Sequence, residues 1–274
     1  MHSFPENMAP LRELCSTASN MYRLGWNERN GGNISVLLTQ DDLAQAGIAP
    51  DAAPLRRLPL SHPFPGHDGR FFLVTGTGKC FRNIERAPEE NTGLVRIEAG
   101  GTEAGLIRGF SDGGTFTSEM TMHLAAHEQR LQKDPRQRVV LHAHPQKTLA
   151  MTHLLPPDEK LFTKTIWRMC TECLVILPDG VGVLPWMVSS SDTLGLASAR
   201  AFSEHRVLIW TYHGATACGD SLDEAFGLLE TIEKAASVYV DIAGRQTQDG
   251  ITDEMLRQIA DAFGLAIRSD YLDK

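Results

Sequence analysis

Val139-Val140-Leu141-His142-Ala143-His144 is the segment from which the rest of the chain is read. An apolar run closes on two histidines one residue apart. Side chains along a strand alternate between faces, so both imidazoles point the same way. A second apolar run, Val207-Leu208-Ile209-Trp210-Thr211-Tyr212, ends on His213. Two imidazoles side by side on a strand need one more ligand to hold a divalent cation, and His213 is the natural third. Three protein ligands with one position open is the pattern of a catalytic zinc rather than a closed structural one. An all-imidazole set also suits zinc better than magnesium, with other transition metals left open. The expectation is a metal enzyme built on a sheet.

Outward from these strands, Leu11, Leu14, Cys15, Ala18, Met21 and Tyr22 share one helical stripe, and the first helix is expected to end near Gly25. The segment 26–33 (WNERNGGN) reads as a loop and 34–39 as a strand. Residues 41–70, rich in Pro, Ala and Asp, read as an irregular excursion. A strand at 71–75 runs into Gly76-Thr77-Gly78-Lys79, and 94–98 with 104–108 form a hairpin around a glycine-rich turn. Helices are predicted at 117–132, 146–154, 158–169, 192–205, 221–242 and from Thr252. Strands are predicted at 138–144, 173–177 and 206–212. No repeat or linker interrupts the pattern, so a single α/β domain over 1–274 is expected, with a sheet that need not be parallel.

The 274 residues include 34 acidic and 26 basic side chains, a net charge of −8, which argues against a general nucleic-acid or anionic-membrane surface. No apolar run approaches the roughly 18 to 20 residues that span a bilayer. Met1-His2-Ser3-Phe4-Pro5-Glu6 lacks the basic-then-apolar pattern of a secretory signal. Five scattered cysteines are unlike a disulfide framework. A cytoplasmic location is the simplest expectation.

Glu119 follows Thr117 and Ser118 at a helix start, where outward N–H groups favour anions. It reads either as ordinary first-turn chemistry or as a general base and exchangeable metal ligand. His123 and His127 have helical chelate spacing but lack the intervening glutamate of the H-E-x-x-H motif, so they are read as packing or hydrogen-bonding residues. The loops 30–33 (NGGN) and 75–79 (TGTGK) could offer N–H groups and hydroxyls to a phosphate. The second fails the Walker pattern, with Leu73 where its first glycine belongs, and fails G-x-G-x-x-G at Phe81. Cys170-x-x-Cys173 has no second pair and is read as accidental spacing, while Glu172 between them is a candidate functional carboxylate.

In this order, RNGGN, VTGTGK, TSE, HAH, TECL, PDGVGVLPWM, HG and LDEAFGLLE resemble the class II, metal-dependent sugar-phosphate aldolase family. The resemblance runs from about Trp26 to Ser237. HAH and HG are shared across relatives acting on several sugar phosphates, whereas TECL, PDGVGVLPWM and the chain length narrow it to the branch acting on L-rhamnulose 1-phosphate. The resemblance implies an α/β fold, with a central, mainly antiparallel sheet between helices on both faces. It implies zinc, one per subunit, on His142, His144 and His213, with Glu119 as the catalytic acid/base. Asn30, Gly32, Asn33, Thr75, Gly76, Thr77, Thr117 and Ser118 would lie near the phosphate of a ketose substrate. Glu172 would reach the site from a neighbouring subunit of a homotetramer with interface active sites. Fuculose-phosphate cleavage, ribulose-phosphate epimerisation and thiosugar-phosphate dehydration share this framework. A non-catalytic adducin-like domain would not be expected to keep all three histidines and the glutamate.

Overall fold

The computed structural model describes residues 3–5, 8–246 and 250–273; Met1, His2 and Glu6 of the N-terminal stretch lie outside them. Among the described residues nine strands form one sheet: β1 (Asn33–Leu37), β2 (Arg56–Pro59), β3 (Phe71–Thr75), β4 (Thr92–Ile97), β5 (Glu103–Gly109), β6 (Val139–Ala143), β7 (Gly182–Leu184), β8 (Val207–Trp210) and β9 (Gly214–Gly219). Their order is β2-β5-β4-β3-β1-β6-β9-β8-β7. Every pairing is antiparallel except β7 with β8. The helices are α1 (Ala9–Arg23), α2 (Gln40–Gln45), α3 (Phe81–Ile84), α4 (Pro88–Asn91), α5 (Met120–Lys133), α6 (Gln146–Leu154), α7 (Glu159–Met169), α8 (Thr171–Ile176), α9 (Asp192–Phe202), α10 (Leu222–Ile242) and α11 (Asp253–Phe263). None is long and apolar enough to cross a membrane.

The sheet is sandwiched because its strands are apolar on both faces. Leu141 and Ala143 of β6, with Ile34, Val36, Phe71 and Leu73, join the larger core with residues of α1, α6 and α10. Phe72 and Val74 turn to the other face, against Met120 and Leu124 of α5, and Val140 packs there with Met122 and Phe202. His142 lies on the α5 face with Val140, as period-two alternation requires. A satellite cluster of Trp167, Leu174, Leu256, Ala260 and Tyr271 seats α11.

Two expectations are corrected, and one strand was not foreseen. Residues 171–176 form helix α8, not a strand. Cys173, Leu174 and Leu177 are buried while Ile176 is exposed, a helical rather than alternating pattern, and Leu177 O accepts the indole N–H of Trp167 over 2.8 Å. The stretch 41–70 is not wholly irregular. Thr39 and Asp42 make a capping box for α2, and β2 adds an edge strand to β5, a position that tolerates Pro59 because one row of its N–H groups has no strand to pair with. Strand β9 carries no apolar alternation, yet all six residues are buried. A Cβ on Gly214 would sit 2.3 Å from Ala143 O, and one on Gly219 would sit 2.8 Å from Ala225 N. Close backbone approach, not side-chain packing, dictates that composition.

The antiparallel central order brings chain ends together. The starts of β1 and β9 and the ends of β3 and β6 share one edge, where Asn33 pairs with His142 and His142 with Thr216. Both glycine-rich loops and the histidines are therefore delivered to the same place.

Candidate metal centre

His142 comes from the last turn of pleat in β6, His144 from just beyond it, and His213 from the tight connection between β8 and β9. Tyr212 before His213 takes a left-handed conformation (φ 61°), and His213 N donates to Trp210 O over 3.0 Å, turning the ring back over the strand end. The backbone N–H of His144 is fixed by Trp26 O at 2.8 Å. The three ring centroids stand 5.1, 5.0 and 5.2 Å apart, and one nitrogen from each ring lies within 4.8 Å of the others.

The hydrogen-bond pattern tests whether these rings suit a cation. His142 Nδ1 donates to Ala215 O over 2.9 Å, so its Nε2 carries the lone pair; that atom is buried and has no hydrogen-bond partner among the described residues. His144 Nδ1 donates to the Glu28 carboxylate at 3.0 and 3.1 Å, which leaves Nε2 as the ligand atom. Carbonyl and carboxylate partners of this kind fix the tautomer and orientation of metal-binding imidazoles. Burial, then the neighbouring rings, holds the His142 imidazole well below its usual pKa; burial, then His144, brings His213 down to about 4. Neutral imidazoles are the ligand form. The three residues fit a divalent transition metal.

Glu119 stands at the N-cap of α5, only 7% exposed, with Oε2 3.9 Å from His142 Nε2. Burial pushes its carboxyl above the usual range, opposed by the Asn33 amide, then His144 and the backbone N–H of Ser190. Asn33 Nδ2 donates to Oε2 over 2.8 Å. A buried carboxylate with raised proton affinity, facing a cation site, is equipped to take up and return a proton.

A cavity of about 160 Å³ opens onto these residues, walled by Asn30, Gly32, Asn33, Gly76, Thr77, Thr117 and Ser118 as well as the histidines and Glu119. Gly32 is obligatory there, with φ 76° and the Asn27 amide 1.9 Å from where a Cβ would stand. Thr75 is not on this wall; its hydroxyl accepts the Ile34 N–H over 3.0 Å and ties β3 to β1. Lys79, next to the second loop, is paired with Asp112. Glu172 is elsewhere in the chain. It lines a separate cavity of about 840 Å³ with Cys170, Ile176, Arg206 and Leu228, and accepts from the Cys170 thiol, which lowers its pKa.

Three site residues were not found by sequence reasoning. Glu28 sits in the WNERNGGN loop with nothing in its spacing to pair it with His144. Ser189 and Ser190 precede α9, where serine is expected as a cap, and Ser191 does cap it. Ser190 adopts a left-handed conformation (φ 58°), and its hydroxyl meets that of Ser118 at 2.9 Å.

Known proteins resemble the chain over most of its length. The model of the class II aldolase and adducin N-terminal domain matches residues 12–240. The chain is 42% identical over 264 residues to a rhamnulose-1-phosphate aldolase of Listeria monocytogenes, covering 96% of each chain. It is also 42% identical over 271 residues to one from Enterococcus faecalis, covering 96% of this chain and 94% of that one. Its fold is similar to that of a sugar-phosphate aldolase of Thermotoga maritima, with a TM-score of 0.75 and 24% identity, covering 87% of this chain and 97% of that one. It is also similar to an L-fuculose-1-phosphate aldolase of Thermus thermophilus, with a TM-score of 0.57 and 21% identity, covering 87% and 100%. The chain belongs to the class II aldolase and adducin family.

Proposed function

We propose that this chain is a zinc-dependent lyase that reversibly cleaves L-rhamnulose 1-phosphate to dihydroxyacetone phosphate and L-lactaldehyde. The observation that carries the reading is a buried carboxylate, its proton affinity raised by desolvation, 3.9 Å from the inward nitrogen of a three-imidazole site. The choice of substrate follows the near-full-length similarity to rhamnulose-1-phosphate aldolases.

When bound by His142, His144 and His213, zinc would supply Lewis acidity for the electron pair left as the C3–C4 bond breaks. In the cleavage direction the C4 hydroxyl loses its proton, C3–C4 breaks to release the aldehyde, and C3 is protonated to complete the three-carbon ketone. Glu119 is assigned the proton at C3. Its fixed partners, Asn33 and the Ser190 N–H, hold the carboxylate in place. Glu172, which lines a different cavity of its own chain, is assigned the C4 hydroxyl proton of a neighbouring subunit's site in a tetramer. Asn30, Gly32, Asn33, Gly76, Thr77, Thr117 and Ser118 would surround the phosphate with N–H groups and hydroxyls, Asn33 also holding Glu119, and Thr75 would support the loops from behind. The non-reacting phosphate would fix the frame of the reacting carbons.

Coupled detection of dihydroxyacetone phosphate from a panel of ketose 1- and 5-phosphates tests the assignment. Rhamnulose 1-phosphate is expected to give the highest kcat/KM; a higher value for fuculose 1-phosphate, or epimerisation of a pentulose 5-phosphate, overturns it. Glu119→Gln is expected to lower kcat by about 10²- to 10⁴-fold with bound zinc mostly retained. Turnover unchanged by that substitution removes Glu119 from the chemistry.

A further inference from the structure

From Glu119 a file of buried polar groups passes between β1 and α5. Asn33 Nδ2 donates to Glu119 Oε2, and Asn33 Oδ1 lies 2.5 Å from His123 Nε2. Ser35 Oγ lies 2.7 Å from His123 Nδ1 and 2.8 Å from His127 Nε2. Ser35, His123 and His127 are fully buried, and His127 Nδ1 has no partner among the described residues.

The direction of every bond follows from the first. A carboxylate only accepts, so Asn33 presents its amino group to Glu119 and its carbonyl to His123. A carbonyl also only accepts, so His123 Nε2 carries a proton. Burial brings the His123 pKa down to about 3, so the ring is neutral and its Nδ1 is a lone pair. Ser35 must then donate to His123 Nδ1 and accept from His127 Nε2–H. The remaining His127 Nδ1 is a bare lone pair on a ring packed beside Phe72. Reversing the file would set the Asn33 carbonyl against the carboxylate and bury an unpaired N–H at His127. A buried orphan donor is the rarer defect, so both ends favour the same polarity.

We propose that His123 is a positioning residue. Acting through Asn33, it aims the amide donor that holds the Glu119 carboxylate, while Ser35 and His127 lock the tautomer able to do so. This deepens the reading of Glu119 given above and rests on it. A histidine pair serving only the core would affect stability and leave turnover alone.

Two measurements decide between these. In zinc-loaded protein carrying ¹⁵N-labelled histidine rings, His123 is expected to show a protonated Nε2 and a bare Nδ1 throughout the neutral range. The His123→Gln spectrum provides the assignment. An Nδ1–H tautomer, or a cationic ring, overturns the proposal. In steady-state kinetics with rhamnulose 1-phosphate, His123→Phe is expected to lower kcat about 10- to 100-fold, with KM and bound zinc near wild type. His123→Gln, whose side-chain N–H can reach Asn33 Oδ1, is expected to recover most of that loss. Unchanged turnover in His123→Phe, a loss that His123→Gln does not repair, or a loss matched by departure of zinc overturns it. Should His123→Phe fail to fold, Ser35→Ala removes the tautomer lock at the cost of one hydroxyl, and unchanged kcat there also overturns it. A wild-type protein that cleaves no ketose phosphate defeats the reaction assigned above, whereas the tautomer is read without any turnover.

Discussion

Burial at the residue scale makes the centre acid-labile in a direction that can be worked out. His67, His123, His127, His142 and His213 all have pKa values lowered from 6.5, chiefly by desolvation, so the folded chain binds protons there less readily than the unfolded one. Such groups contribute stability that is present above 6.5 and lost as pH falls toward the folded values, about 4 for His213 and about 3 for His123. Glu119 works the other way, since its folded state retains a proton more readily, but one carboxylate faces five imidazoles. Metal-free protein is therefore expected to lose urea-unfolding stability steadily as pH drops from neutral to 5. A midpoint that stays flat over that interval contradicts the protonation balance. The same argument explains what the residues could disclose beforehand. His142, His144 and His213 were legible because strand alternation and residue type converge on them. Glu28 and Ser190 act through a contact and a backbone angle, which no local pattern carries.

Strand β9 is the decisive case at the scale of elements. Its glycines and alanines gave no β signal, yet it separates β6 from β8 and thereby spaces His142 from His213. Gly214→Ala would place a methyl 2.3 Å from Ala143 O and 2.9 Å from His144 Cδ2. The substitution is expected to cost about 1–3 kcal/mol in denaturant unfolding, as overpacked sites do. It should also reduce bound metal, because the strand can yield only by moving away from both histidines. Full metal occupancy with wild-type stability would show that the contact relaxes freely. Helix α8 was misread for a related reason: a short apolar run fits a strand or a buried helix equally, and only the packing of Cys173, Leu174 and Leu177 decides. By contrast, α10 was legible to within a residue at either end because the Ser221 cap and the buried stripe of Leu222, Ala225, Leu228, Leu229 and Ile232 agree.

For the whole molecule, the placement of Glu172 sets a test of assembly. Within one chain it shares no cavity with Glu119. If it serves a neighbour's site in a cyclic tetramer, chains carrying Glu119→Gln and chains carrying Glu172→Gln should complement one another. After subunits are exchanged in equal amounts, a site is intact when its own chain keeps Glu119 and its neighbour keeps Glu172, which happens in about a quarter of sites. Recovery of activity toward that fraction is expected when two nearly inactive preparations are mixed. No recovery would place Glu172 outside the chemistry.

Because the loops around the three histidines gather at one rim of the sheet, the opposite rim stands apart from them. The β4–β5 turn lies there, and Gly100 at its tip faces open space. A flexible peptide inserted after Gly100, even one long enough to carry a tag or a small guest domain, should leave metal content and turnover intact. The molecule is in that sense one-sided: the histidine rim is crowded, and the far rim offers a port for grafting.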